Sequence, residues 1–149
     1  MQNVTYLTDV GTLYDTLDIE KSAGLSLPDW TKDVFPSKML PLAARSLELL
    51  TETPFMKRIK GGALATEILD QMLQKRAAKL QPDRSLFIYS GHDVTLVNLM
   101  RALGVEDQTS NKPDFGATLV LELHDSYSLR DDLEVKVRPF DYRKLSMID

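Results

Sequence analysis

The chain has no cysteine. That excludes disulfides, thiolate catalysis and thiolate-bound zinc within it, although it does not exclude export. No run of eighteen apolar residues occurs, so no helix of the chain is expected to span a membrane. The opening residues Met1-Gln-Asn-Val-Thr-Tyr6 lack a charged start followed by an apolar stretch, so no signal peptide is expected. Positive charge is not in excess. Eighteen Lys and Arg against 22 Asp and Glu give 18 − 22 = −4, which offers no basic surface for nucleic acid. Histidine is scarce, with only His92 and His124. Internal repeats and low-complexity segments are missing too. Asn3-Val4-Thr5 is an N-glycosylation sequon, which supports a secretory history only slightly.

What is present suits one sizeable core. The chain has 149 residues, 43% of them apolar and 27% charged, the proportions of an ordinary globular domain. Val10 to Leu17 can form a helix with Leu13, Tyr14 and Leu17 on one face. Pro28-Asp29-Trp30 predicts a turn, with the only tryptophan anchored against the core. Pro36 and Pro41 frame a helix start, Leu42, Leu47, Leu49 and Leu50 continue an apolar face, and Thr51-Glu-Thr-Pro54 ends it. Gly61-Gly62 interrupts the chain. Ala63 to Leu80 carries the clearest helical stripe, Leu64, Ile68, Leu69, Met72 and Leu73. Lys75, Arg76 and Lys79 near its end read as a solvated helix terminus. After a polar loop over 106–114, Ala117, Leu119, Leu121 and Leu123 alternate with Thr118, Val120, Glu122 and His124. Leu133 to Arg138 alternates again, which predicts an antiparallel hairpin with Glu134, Lys136 and Arg138 on its wet face.

The stretch from Leu86 to Gly104 organises the rest. Leu86-Phe-Ile-Tyr89 is a short apolar run, Ser90-Gly91 a small-residue turn, and Leu96, Leu99, Met100 and Leu103 fall at helical spacing. This predicts strand, tight turn, helix. His92-Asp93 falls at the junction, where ligands collect at the carboxyl ends of strands and a helix N-terminus favours anions. Two plain alternatives exist. Asp93 can be simply the helix N-cap, accepting the N–H of Thr95 or Leu96, and His92 a loop histidine without a task.

Tyr89-Ser-Gly-His-Asp-Val-Thr95 resembles the second signature of the histidine acid phosphatases, the branch with the prostatic, lysosomal and insect enzymes. The similarity extends to Leu27-Pro-Asp-Trp30, Arg58-Ile-Lys-Gly-Gly62, Asp114-Phe-Gly-Ala117 and Glu122-Leu123, in the family's order, from about Leu27 to Arg138. It implies an α/β chain: the C-terminal part of a histidine-phosphatase (phosphoglycerate-mutase-like) fold. Residues 1–80 would contribute to a helical cap subdomain and 81–149 to the α/β core, together an incomplete catalytic domain. It implies hydrolysis of phosphate monoesters through a phosphohistidine, with no cofactor and no metal. Carried over by position, His92 would bind phosphoryl oxygens and Asp93 would protonate the leaving group. The resemblance leaves room for a homodimer, and it implies a parent that is secreted, lysosomal or membrane-associated.

The sequence departs from the pattern in one respect. The family's nucleophile belongs to an Arg-His-Gly-x-Arg-x-Pro motif, and no Arg-His-Gly occurs here. No histidine precedes His92, and none of the arginines matches a phosphate clamp. The expectation is a fragment, a truncated gene model or a short isoform, inactive alone. The rival for such a chain is a non-catalytic binding or dimerising module. A metal-dependent HD phosphohydrolase also pairs His with Asp, but it needs further upstream histidines that this chain lacks.

Overall fold

Helix α1 spans Leu7–Ser22. Asp9 fastens its first turn by accepting the N–H groups of Tyr6 at 2.8 Å and Thr5 at 2.9 Å. Those bonds hold the Asp9 carboxyl below its usual range. The structure is a computed structural model, and it describes residues 4–105, 112–125 and 133–140. The α1 face expected from the sequence is real: Tyr14 and Leu17 are buried, and Leu13 packs beside them. Their partners are Phe35, Met39 and the fully buried Ala43. The Tyr14 and Phe35 rings meet at 5.3 Å with a 47° tilt, a favourable arrangement for aromatic pairs.

Trp30 corrects one expectation. It lies in a 3₁₀ turn, Asp29–Asp33, and is 52% exposed, so it is not the core anchor. The inward position of that turn belongs to Thr31, which is buried and donates its hydroxyl to the Pro28 carbonyl at 2.7 Å. Phe35 supplies the aromatic anchor instead.

Helix α2 spans Leu40–Glu48, with proline in its first turn, and continues as a 3₁₀ turn over Leu49–Thr51. The chain stops there, as the Thr53-Pro54 pair requires. Thr53 then opens a short helix that the sequence reading left out, α3 (Pro54–Lys60), by accepting the Met56 N–H at 3.2 Å. Gly61 both closes α3 and starts α4 (Gly62–Arg76). Helix α4 is shorter than the Ala63–Leu80 expected. Ala78, at φ 53°, takes the chain out of the helix, and Leu80 is buried beyond it. The apolar stripe of α4 is correctly spaced but only partly covered. No residue of α4 is buried, and Leu69 is 51% exposed. Leu64, Ile68 and Met72 are half-buried where α4 meets α3 and α5, whereas Leu69 and Leu73 lack an opposing layer among the described residues.

Helix α5 (Asp93–Leu103) buries Val97, Asn98, Leu99 and Met100, and packs against α2, α3 and α4. Gly104 at φ 70° ends it in the left-handed conformation that suits glycine. Strand β1 (Thr118–Asp125) pairs antiparallel with β2 (Leu133–Phe140), placing Leu121 opposite Val137 and Leu123 opposite Val135. This is the expected hairpin, with Glu134 and Arg138 exposed.

The Leu86–Tyr89 strand is the main correction. The segment pairs with no strand among the described residues, whose only sheet is the two-stranded hairpin. Ile88 is 84% exposed and Leu86 is also exposed. A run apolar on both faces becomes a strand only between neighbours and under cover. The composition names the conformation, and the missing partners withhold it. With α4 it leaves a broad apolar surface, as do Phe55 and Ile59. Such surface drives association. Sedimentation of the purified chain should show mixed oligomers, and its thermal melt should be broad. A monodisperse monomer with a sharp cooperative melt would contradict this. Among the described residues, no helix is long and apolar enough to cross a membrane.

Candidate functional site

A cavity of about 380 Å³ opens where α1, the start of α5 and the 112–117 segment converge. His92 and Asp93 both line it. His92 is the N-cap residue of α5, in extended conformation. Its N–H donates to Thr95 Oγ1 at 3.3 Å, and its carbonyl accepts the N–H groups of Thr95 at 2.9 Å and Leu96 at 3.2 Å. Asp93 is therefore the first helical residue and not the cap. Its Oδ1 accepts the Val94 N–H at 2.7 Å. A carboxylate in a first helical turn also gains from the helix dipole.

The other Asp93 oxygen meets a residue that the sequence reading passed over. Lys112 Nζ lies 2.6 Å from Asp93 Oδ2 and 3.0 Å from Asp15 Oδ1 on α1. The Lys112 side chain is only 11% exposed. Burial by itself acts to lower its pKa, but the hydrogen bonds and charges of Asp93 and Asp15 outweigh burial and leave it raised above 10.5. No local signal marked this residue. It sat in a polar loop, and Asp15 was one more acid on a helix. Only folding brings the two together.

The sign of the pH effect follows. A lysine whose pKa is raised by folding contributes stability that is fully present below its unfolded value and is lost as pH climbs through the folded one. Melting curves of the wild type and Lys112→Met should therefore differ most near neutrality, and the difference should shrink above pH 10.5. A difference constant across the alkaline range would show that the ion pairs contribute nothing.

His124 does not join the cavity. It stands on β1, with Nε2 3.3 Å from Glu122 Oε2, and Arg138 Nε lies 2.9 Å from the same oxygen. These contacts lower the Glu122 pKa, that of His124 foremost. Among the described residues, no group of three or more His, Asp and Glu side chains could hold a metal ion.

The charge balance of the cavity limits its chemistry. Asp15, Asp18, Asp93 and Asp114 line it against Lys112 and His92. A phosphate dianion entering it needs more positive charge than these residues carry. What they offer is a fixed carboxyl group at an opening, beside a histidine.

Residues 2–138 match the family model of the histidine phosphatase superfamily (branch 2). The chain is 27% identical to the venom acid phosphatase Acph-1 of Apis mellifera over 124 residues, which are 83% of this chain and 31% of that protein. It is 34% identical to the prostatic acid phosphatase of Rattus norvegicus over 115 residues, 75% of this chain and 29% of the relative. It is 30% identical to the lysosomal acid phosphatase of Bos taurus over 149 residues, 95% of this chain and 34% of the relative. The chain thus spans about a third of the length of the curated relatives it matches.

Proposed function

This chain belongs to the histidine phosphatase superfamily, branch 2, and we propose that it is the proton-donor part of an acid phosphatase whose nucleophile lies outside these 149 residues. The observation that carries this reading is the Asp93 carboxyl group, fixed at the start of α5 and open to the cavity that His92 also lines.

In the proposed reaction, a histidine of an Arg-His-Gly segment attacks the phosphorus of a phosphate monoester. A phosphohistidine forms as the bond to the leaving oxygen breaks. Asp93 gives its proton to that oxygen, and His92 binds the phosphoryl oxygens. Water then attacks the phosphorus, the P–N bond breaks, and phosphate leaves as the proton of the attacking water returns to Asp93. The leaving alkoxide is a strong base, so its departure needs the proton in the transition state. Donors to the equatorial oxygens stabilise the charge that spreads there. The acidic balance of the cavity supports a clamp supplied by other residues. Residues 1–80 serve as part of a helical cap and 81–149 as part of the core. Relatives named for venom and lysosome support a secreted or lysosomal setting. The exposed face of α4 favours a second reading, a module that binds or dimerises without catalysis.

The test is turnover of p-nitrophenyl phosphate at mildly acid pH by the purified 149-residue polypeptide. No rate above background is expected, because an acid without nucleophile and clamp cannot start phosphoryl transfer. Turnover that disappears in His92→Ala would overturn the proposal. Joining to the chain the N-terminal half of a full-length relative, with its Arg-His-Gly segment and phosphate-clamping arginines, should give activity, and failure to do so would favour the binding module.

A further inference from the structure

We propose that Lys112 and Asp15 together position Asp93, with Lys112 passing between the two carboxylates as Asp93 gains and loses its proton. This rests on the acid phosphatase reading and assigns that same site two further residues.

Both Asp93 oxygens are engaged, Oδ1 by the Val94 N–H and Oδ2 by Lys112. The plane of the carboxylate is thereby fixed. A general acid works only within hydrogen-bond reach of the atom it protonates, so that orientation is a catalytic requirement. Lysine normally keeps its ammonium in water, because burying it unpaired is costly. Here it is largely withdrawn from water, with its side chain 11% exposed, and it contacts carboxylates from two separate elements, α1 and α5. One partner would suffice to neutralise it. Two partners allow it to leave one without losing both.

The proton balance is simple. Asp93 in the arrangement seen is acceptor-only at both oxygens, as an ionised carboxylate is. When Oδ2 takes a proton from solvent, Lys112 stays an ammonium and keeps its contact with Asp15, 3.0 Å away. The O–H is then free to face the substrate. After the proton passes to the leaving oxygen, Asp93 is a carboxylate again and Lys112 returns to it. The other charged or titratable groups facing this exchange are Tyr14 and Asp18 from α1, His92 from the start of α5, and Asp114 two residues beyond Lys112. Asp15 and Asp93 both lie within ion-pair distance of Lys112 Nζ, at 3.0 and 2.6 Å.

Two measurements test the proposal. The first is competitive acylation of amines in the 149-residue chain, read by mass spectrometry. Lys112 should react about tenfold more slowly than the exposed Lys32, and Asp15→Asn or Asp93→Asn should each speed it up. Equal labelling of Lys112 and Lys32 would overturn the bridge. The second is kinetic, in the longer protein carrying this chain behind an Arg-His-Gly segment. Lys112→Met should cut kcat about tenfold for an alkyl phosphate and less than about twofold for p-nitrophenyl phosphate, whose leaving group needs little acid help. Asp15→Asn should act in the same direction, and Lys112→Arg should restore most of the loss. A merely structural role would depress both esters alike, and that result overturns the positioning role while leaving the phosphatase reading intact. An unsubstituted protein inactive on both esters overturns the phosphatase reading and this inference with it.

Discussion

Gly61→Ala should unfold the helical part of this chain. Gly61 joins α3 to α4 and is buried against α5. A Cβ there would lie 2.1 Å from the Asn98 carbonyl oxygen and 2.7 Å from Ala102 Cβ. The first contact is with helix backbone, which cannot rotate aside as a side chain does. The backbone at Gly61 has φ −112°, open to any L-residue, so the penalty is steric and not conformational. Overpacking typically costs 1–3 kcal/mol, and a clash this deep against backbone should cost about 3 kcal/mol or more. That is a large share of the stability of a small domain. Gly62→Ala is the control. Its Cβ would meet Arg58 Cγ at 3.7 Å and the Lys57 carbonyl oxygen at 4.0 Å, both ordinary contacts, in a helical position where alanine is preferred. Helical circular dichroism through a denaturant titration separates them. Gly61→Ala should have lost its helix signal at concentrations where wild type and Gly62→Ala retain theirs. Matching midpoints for all three would mean that α5 does not sit where the structure places it.

The second large effect belongs to Asp93→Asn in an active parent. General acid catalysis typically contributes 10²–10⁴-fold, and an amide cannot supply the proton. The change nearly preserves shape, and Asn Oδ1 can still accept the Val94 N–H. The loss should therefore fall on kcat with esters of poor leaving groups. With a nitrophenyl ester it should be small, because nitrophenolate departs without much protonation.

How much of this was legible depended on whether a residue's neighbours were near in sequence. The hairpin was readable because β1 and β2 each alternate with period two and pair directly. The α5 start was readable because apolar spacing of Leu96, Leu99 and Met100 changes the period right after His92-Asp93. Thr53-Pro54 was readable as a stop, yet α3 behind it was not. Its Phe55 and Ile59 are exposed, so they signal no core-facing stripe. Leu86–Tyr89 has the composition of a buried strand, but strand formation is a property of a pair, and its partners are absent among the described residues. Trp30 was misplaced because size suggests burial, while the 3₁₀ turn gives the inward place to Thr31. Lys112 and Asp15 stand far apart in the sequence and meet only in the folded cavity, so no spacing rule could pair them.

The most direct measurement of the central claim is the ratio of kcat for an alkyl phosphate to kcat for p-nitrophenyl phosphate, taken in the active parent and in its Asp93→Asn variant. If Asp93 is the proton donor, the ratio falls by about 10²-fold or more in the variant while nitrophenyl turnover persists. A ratio unchanged by Asp93→Asn, with both rates kept or both lost together, would contradict the assignment of the proton to Asp93.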